Sequence, residues 1–179
     1  MRYEEILNFW FEEIDSSAWF KKDEAFDLML AKRFGEIHRQ SSLGETASWR
    51  ETIKGRLAEI IVLDQFSRNL FRDEAEAFAY DGMSLILAQE ALKAPDLDEL
   101  TMSEKAFLYM PFMHSESLVI HQKALELFNQ PGLETNYDFE KQHLVIIERF
   151  GRYPHRNKIL GRPSTAAEIA FLQEENSSF

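Results

Sequence analysis

The stretch IKGRLAEIIVLDQFSRNLFR, Ile53–Arg72, decides the fold class. Ile53, Leu57 and Ile60 recur at steps of four and three, the period of one helix face, and the next step of four lands on Asp64. Arg68 and Arg72 follow at one-turn intervals, so Asp64 and Arg68 form an i,i+4 pair of favourable orientation. Gln65 and Asn69 flank that line with neutral donors and acceptors. A carboxylate on the core-facing stripe of a helix is either paired or used, because charge is costly to bury alone.

Outward from this helix, nearly every segment carries the same period. Only 7 Gly and 5 Pro punctuate 179 residues, and strand-like alternation is absent. Helices are predicted over residues 3–14 and 23–40. A loop at 41–47 follows, then a capping box of Ser48 and Glu51 that opens a long helix reaching about residue 71. A segment over 74–93, interrupted at Asp81–Gly82, leads into a connector at 94–100. Thr101 and Glu104 repeat the capping-box signature ahead of a helix that Pro111 should end or kink. Further helices are expected over 115–129 and 137–150, with Pro131–Gly132 between them and an irregular stretch at 151–161. Thr165 and Glu168 cap a last helix to about residue 175. The expectation is an all-α fold of stacked antiparallel helix pairs, one domain over 1–175, with a frayed tail at 176–179.

Composition narrows the function classes. A chain of this length buries roughly 70% of its unfolded surface without staples. Cys is absent, which removes disulfides and thiolate metal sites and suits a reducing compartment. At the N-terminus Glu4, Glu5, Glu12, Glu13 and Asp15 bracket the short apolar patch Ile6–Phe11, unlike a signal peptide, and no apolar run has the length of a membrane span. A cytoplasmic protein is expected. The net charge of −11 disfavours nucleic acid as a partner. One basic island interrupts it: Arg149, Arg152, Arg156, Lys158 and Arg162 lie in a stretch with no acid, which suits either a small anion or internal carboxylates.

Three segments set charge among apolar side chains: LDQFSRNLFR (Leu63–Arg72), YMPFMHSE (Tyr109–Glu116) and ERFGRYPHRN (Glu148–Asn157). In the second, His114 closes a turn after Phe107 and Pro111. His121 completes the stripe Leu118, Leu125 and Phe128, and His143 shares a face with Phe139, Ile146, Ile147 and Phe150. No two histidines have an H-x-x-x-H or H-E-x-x-H spacing, so no metal is expected, and without a Walker or dinucleotide glycine loop no cofactor is expected either. In the third, Gly151 ends the helix and Pro154 stiffens a turn that would fan out Arg152, His155, Arg156 and Asn157.

These motifs, with ILNFWF (Ile6–Phe11), AWFKKDEAFD (Ala18–Asp27) and LGRPST (Leu160–Thr165), make the chain resemble domain-of-unknown-function family 924 over nearly its whole length. The resemblance implies a tetratricopeptide-like α-α superhelix and supplies no activity. By matching motif positions it points to Asp64, Gln65, Arg68, Asn69, His114, Glu116, Arg152, His155, Arg156 and Asn157.

Two functional readings stand beside a purely structural one, in which charged motifs lock helices together. In the first, Arg68, Asn69, Arg72, Arg152, His155, Arg156 and Asn157 bind a small anionic metabolite. Gln65, Glu116, His121 and His143 support that pocket, and Asp64 or His114 is the first candidate general base. In the second, a tetratricopeptide-like groove on an acidic surface receives a basic or amphipathic peptide.

Overall fold

The computed structural model describes residues 1–175 and Ser177; apart from Ser177, the expected frayed tail lies outside the described residues. Helix accounts for every regular element among them, and no strand forms. The chain divides into two compact units, one of residues 1–72 and 76–111, the other of residues 73–75 and 112–179. No helix among the described residues is long and apolar enough to cross a membrane.

In the first unit α1 (Tyr3–Asn8) runs into a π-helical turn, Phe9–Glu13. Asp23 then caps α2 (Glu24–Ser42), its carboxylate accepting from the N–H groups of Ala25 and Phe26. The box expected at Ser48 and Glu51 does not form. Ala47–Glu51 makes a 3₁₀ turn instead, and Thr52 caps α3 (Ile53–Ile61) through the Gly55 N–H. From Leu57 to Phe66 every residue is buried, across α3 and the π-helical turn Val62–Phe66 that extends it. Over that stretch the helix is buried on every side rather than along one stripe, its aliphatic run LAEIIVL interrupted by Glu59 alone.

A short α4 (Ser67–Leu70) completes that rod, and α3 packs on α1 and on α5 (Asp81–Ala91) while α2 packs on α4. The interruption expected near Asp81 is a 3₁₀ turn, Ala75–Phe78, ahead of α5. Aromatic rings fill the centre: Phe9 lies 4.6 Å from Phe34, and Phe107 lies 5.6 Å from Trp10 and 4.8 Å from Trp19. The Thr101–Glu104 box does form, at 2.8 and 3.3 Å, and opens α6 (Met102–Met113). Pro111 sits inside α6, and the helix ends two residues later at Met113.

The second unit is built on a helix hairpin. Helix α7 (Leu118–Phe128) begins three residues later than expected and α8 (Glu134–Phe150) three residues earlier, with Pro131 and Gly132 in the connector. Gly151 ends α8 in the left-handed region, φ 69°, donating to the Ile147 carbonyl. Ile146, Ile147, Tyr153 and Phe171 then form a buried cluster, with Phe150 packed against it. Thr165 and Glu168 close the predicted capping box, at 3.2 and 2.7 Å, on α9 (Ala166–Phe171), which stops four residues short of the expected end.

Candidate functional site

Most of the arginines singled out in the sequence are engaged inside the protein. In the first unit Arg68 reaches Asp64 at 3.0 Å, as the i,i+4 spacing predicts, and also forks onto Asp81 at 3.0 and 3.2 Å. Gln65 donates to the other oxygen of Asp64 at 2.5 Å. Arg72 belongs to a different centre: its fork closes on Asp27 of α2 at 2.5 and 2.9 Å, and Asn69 donates to the same carboxylate at 2.8 Å. In the second unit Arg152 forks onto Glu168 at 2.7 and 2.9 Å, and Arg162 onto Glu116 at 2.6 and 2.8 Å. Bidentate pairs of this kind are the strong geometry for arginine and occupy the donors a ligand would need.

The expected outward fan after Gly151 folds back instead. Asn157 is buried between Ser164 and Arg162, and Arg156 lies 4.6 Å over the Tyr153 ring. An open cleft of about 480 Å³ is lined by Arg149, Phe150, Arg152, Thr165, Ala167 and Glu168, and its Arg152–Glu168 pair is the one just described.

What the second unit does assemble is a group of histidines around Tyr153. The rings of His121, His143 and His155 lie 6.2, 5.7 and 5.6 Å from that of Tyr153. His143 is pushed down to about 3, by burial first and then by the neighbouring histidines His114, His121 and His155. His121 and His143 are buried, whereas His114 and His155 are half-buried.

The segment bearing His114 is gripped at consecutive backbone positions. The Tyr153 hydroxyl donates to the Met113 carbonyl at 2.5 Å, Arg156 donates to the His114 carbonyl at 3.1 Å, and His121 Nε2 lies 2.8 Å from the Ser115 carbonyl. Glu116 is held by the Arg162 fork and by the Tyr153 N–H at 2.7 Å. Burial would push the Glu116 carboxyl up, but those bonds and the nearby Arg156 outweigh it and hold the group below its usual range. Carbonyls at the end of α6 need donors in any case, yet meeting that need with buried side chains also fixes where His114 sits.

Segments of all the motifs above fall within residues 6–176, which match the family model described as a bacterial protein of unknown function, DUF924. The chain belongs to the DUF924 family. Its fold is also that of a solved structure described as a protein of unknown function, ATU0120, from Agrobacterium tumefaciens: identity is 36%, coverage is 96% of each chain, and the TM-score is 0.90. No curated protein matches the chain. These relatives establish family and fold for the DUF924 protein and carry no activity to it.

His38, Asp27 and Glu59, which no pattern in the sequence assigns to a site, also make polar contacts inside the fold. His38 is buried with its Nε2 at 2.8 Å from Ser67 Oγ, whose own proton goes to the Leu63 carbonyl at 2.6 Å. The ring therefore donates from Nε2, and burial lowers its pKa to about 4. His38 and His143 thus stay neutral in the fold far below 6.5, the value each has when unfolded. Folded values below unfolded ones mean stability that is full above about 6.5 and declines on acidification, each such group adding a slope of up to about 1.4 kcal/mol per pH unit. Glu168, which the Arg152 fork holds at about 2, extends the loss below the ordinary carboxylate range. Denaturant midpoints are expected to fall from about pH 7 to about pH 4, and the fall to shrink in His143→Gln; a flat profile would contradict the buried neutral rings.

Proposed function

We propose that the histidine group around Tyr153 is a binding site for a small anion, such as the phosphate or carboxylate of a metabolite. The observation that carries this reading is the convergence of His121, His143 and His155 on the Tyr153 ring, with the Arg156 guanidinium on the face of that ring and bonded to the His114 carbonyl. A proton on half-buried His114 or His155 attracts an incoming anion, and the Arg156 guanidinium adds a fixed positive charge. Half-buried His114 and His155 are the members a ligand meets, and His114, on its gripped segment, is the candidate general base for any reaction of that ligand. Arg68, Arg72 and Arg152 serve as internal clamps in this reading.

Inorganic phosphate, sulfate and small carboxylates are expected to raise the melting temperature at about pH 6 and much less at about pH 8, because histidine protonation favours the bound anion. At about 100 times the Kd the stabilisation is about 2.7 kcal/mol. His155→Ala and His114→Ala should remove the response in folded protein. A response that survives both, or none at either pH, would overturn the proposal.

A second reading, the docking of a basic amphipathic peptide, draws support from Phe20, Leu28 and Ile86, large apolar side chains left exposed in the first unit of a chain of net charge −11. Titration with a cationic amphipathic helical peptide is expected to show salt-sensitive binding weakened by Leu28→Asp; binding unchanged by that substitution would dismiss it.

A further inference from the structure

Behind the His114 segment, α7 and α8 are pinned together by a carboxyl–imidazole pair whose imidazole, His121, is the innermost member of the histidine group. His121 on α7 and Glu140 on α8 are both fully buried, with Nδ1 and Oε1 2.6 Å apart. The second oxygen, Oε2, is also buried and finds no hydrogen-bond partner among the described residues. On the far side of the ring, Nε2 lies 2.8 Å from the Ser115 carbonyl, an acceptor with no proton to give. The Tyr153 hydroxyl, 3.2 Å from Nε2, is committed as a donor to the Met113 carbonyl.

These contacts fix the protons. Nε2 faces acceptors, so Nε2 carries a hydrogen. One proton then remains to be placed between Nδ1 and Oε1. If it sat on Nδ1, the pair would be an imidazolium and a carboxylate, and buried Oε2 would carry part of a negative charge with no hydrogen-bond donor among the described residues. If it sits on Oε1, both groups are neutral, the acid donates to the Nδ1 lone pair, and Oε2 is an unpartnered neutral carbonyl, a far smaller cost.

We infer that Glu140 is held as a carboxylic acid donating to His121, and that this neutral pair is the positioning device for the backbone segment carrying His114 and Glu116. The pair sets the Nε2–H tautomer of His121, the tautomer holds the Ser115 carbonyl, and that carbonyl lies between the two side chains. Glu140 and His121 are positioning residues, and the inference holds whether or not an anion binds at the histidine group. Burial independently pushes the Glu140 carboxyl up, against the opposing bond from His121.

Ionisable groups on the His121 side of the pair are His114 and Glu116 after α6, His143 on α8, and Tyr153, His155 and Arg156 beyond Gly151. For Glu140 the sign of the pH effect is opposite to that of the buried histidines. A folded value raised above the unfolded one gives stability that is complete below the unfolded value and is lost as pH rises through the folded one.

The test is nuclear magnetic resonance on the whole protein at neutral pH, reading the His121 ring nitrogens and the Glu140 carboxyl carbon, with infrared difference spectra of wild type against Glu140→Gln. The expected result is a bare Nδ1, a protonated Nε2, an acid-type carboxyl carbon, and a carboxylic-acid C=O band that Glu140→Gln removes. In Glu140→Gln the amide N–H replaces the acid proton as donor to Nδ1, so melting within about 2 °C of wild type is expected, whereas Glu140→Ala should melt several degrees lower. An imidazolium signature at His121 with an ionised Glu140 would overturn the inference. Should Glu140→Gln fail to fold, the wild-type nitrogen spectrum decides alone: a bare Nδ1 supports the inference and a protonated one refutes it.

Discussion

Gly55→Ala is expected to destabilise the protein by about 3 kcal/mol or more, although alanine is the better helix former by about 1 kcal/mol. Gly55 lies in the first turn of α3, where its N–H donates to the Thr52 cap at 3.1 Å. A Cβ built on it would lie 1.9 Å from the Trp49 carbonyl oxygen and 2.8 Å from the carbonyl carbon. Both are backbone atoms, so no rotamer change relieves the clash. The turn Ala47–Glu51 would have to move, and it carries buried Trp49 and also Arg50, which is bonded to Glu59. Denaturant unfolding of the variant measures the effect. A midpoint close to wild type would mean that the turn swings away at little cost and that the close approach is not structural.

The same position shows why the sequence is only partly legible. Read locally, Gly55 is a weak point in a helix, and Ser48 with Glu51 is a respectable cap. The actual cap, Thr52, and the reason for glycine both follow from a turn crossing the start of α3, an approach of backbone to backbone that no periodicity encodes. The helices themselves are legible because burial imposes the 3.6-residue period, and α2, the capping box of α6 and the left-handed end of α8 follow from local rules. The two π-helical turns depart from that period and fall at Phe9–Glu13 and Val62–Phe66, overlapping the motifs Ile6–Phe11 and Leu63–Arg72, where a single face assigned from spacing of three and four loses its meaning.

Charged residues divide in the same way. Asp64 with Arg68 is visible because it is an i,i+4 pair. The partners of Arg72 and Arg162 lie 45 and 46 residues away, and that of Arg152 lies 16 away, so the sequence shows only that such cations need something. An arginine among apolar residues looks alike whether it awaits a ligand or an internal carboxylate. The histidine group has the same character: His114, His121, His143 and His155 share no ligating spacing, and the turn after Gly151 is what returns His155 towards the hairpin.

Glu59 is the residue whose loss is expected to cost most among the charged ones. It sits fully buried in the run Leu57–Val62, an acid amid aliphatic residues, and it was as conspicuous in the sequence as Asp64. Its carboxylate takes both arms of the Arg50 fork, at 2.6 and 2.8 Å, and a hydroxyl bond from Thr46 at 2.7 Å. Glu59→Ala strands a guanidinium and leaves a cavity in the most enclosed helix of the first unit. Because the Arg50 side chain is 34% exposed, solvent recovers part of its charge. The expected cost therefore lies near the low end for a broken buried pair, about 3 kcal/mol.

Glu59→Gln keeps the shape and an acceptor for Thr46 but loses the charge-assisted fork, and is expected to cost about 1.5–2 kcal/mol. Replacing both partners, Arg50→Met with Glu59→Leu, removes the stranded charge together with the pair. The double variant should then be more stable than Glu59→Ala, with a coupling of roughly 1–3 kcal/mol in the cycle built on these substitutions. Strict additivity in that cycle would mean that the fork contributes nothing as a pair and that Glu59 matters only for the volume it fills.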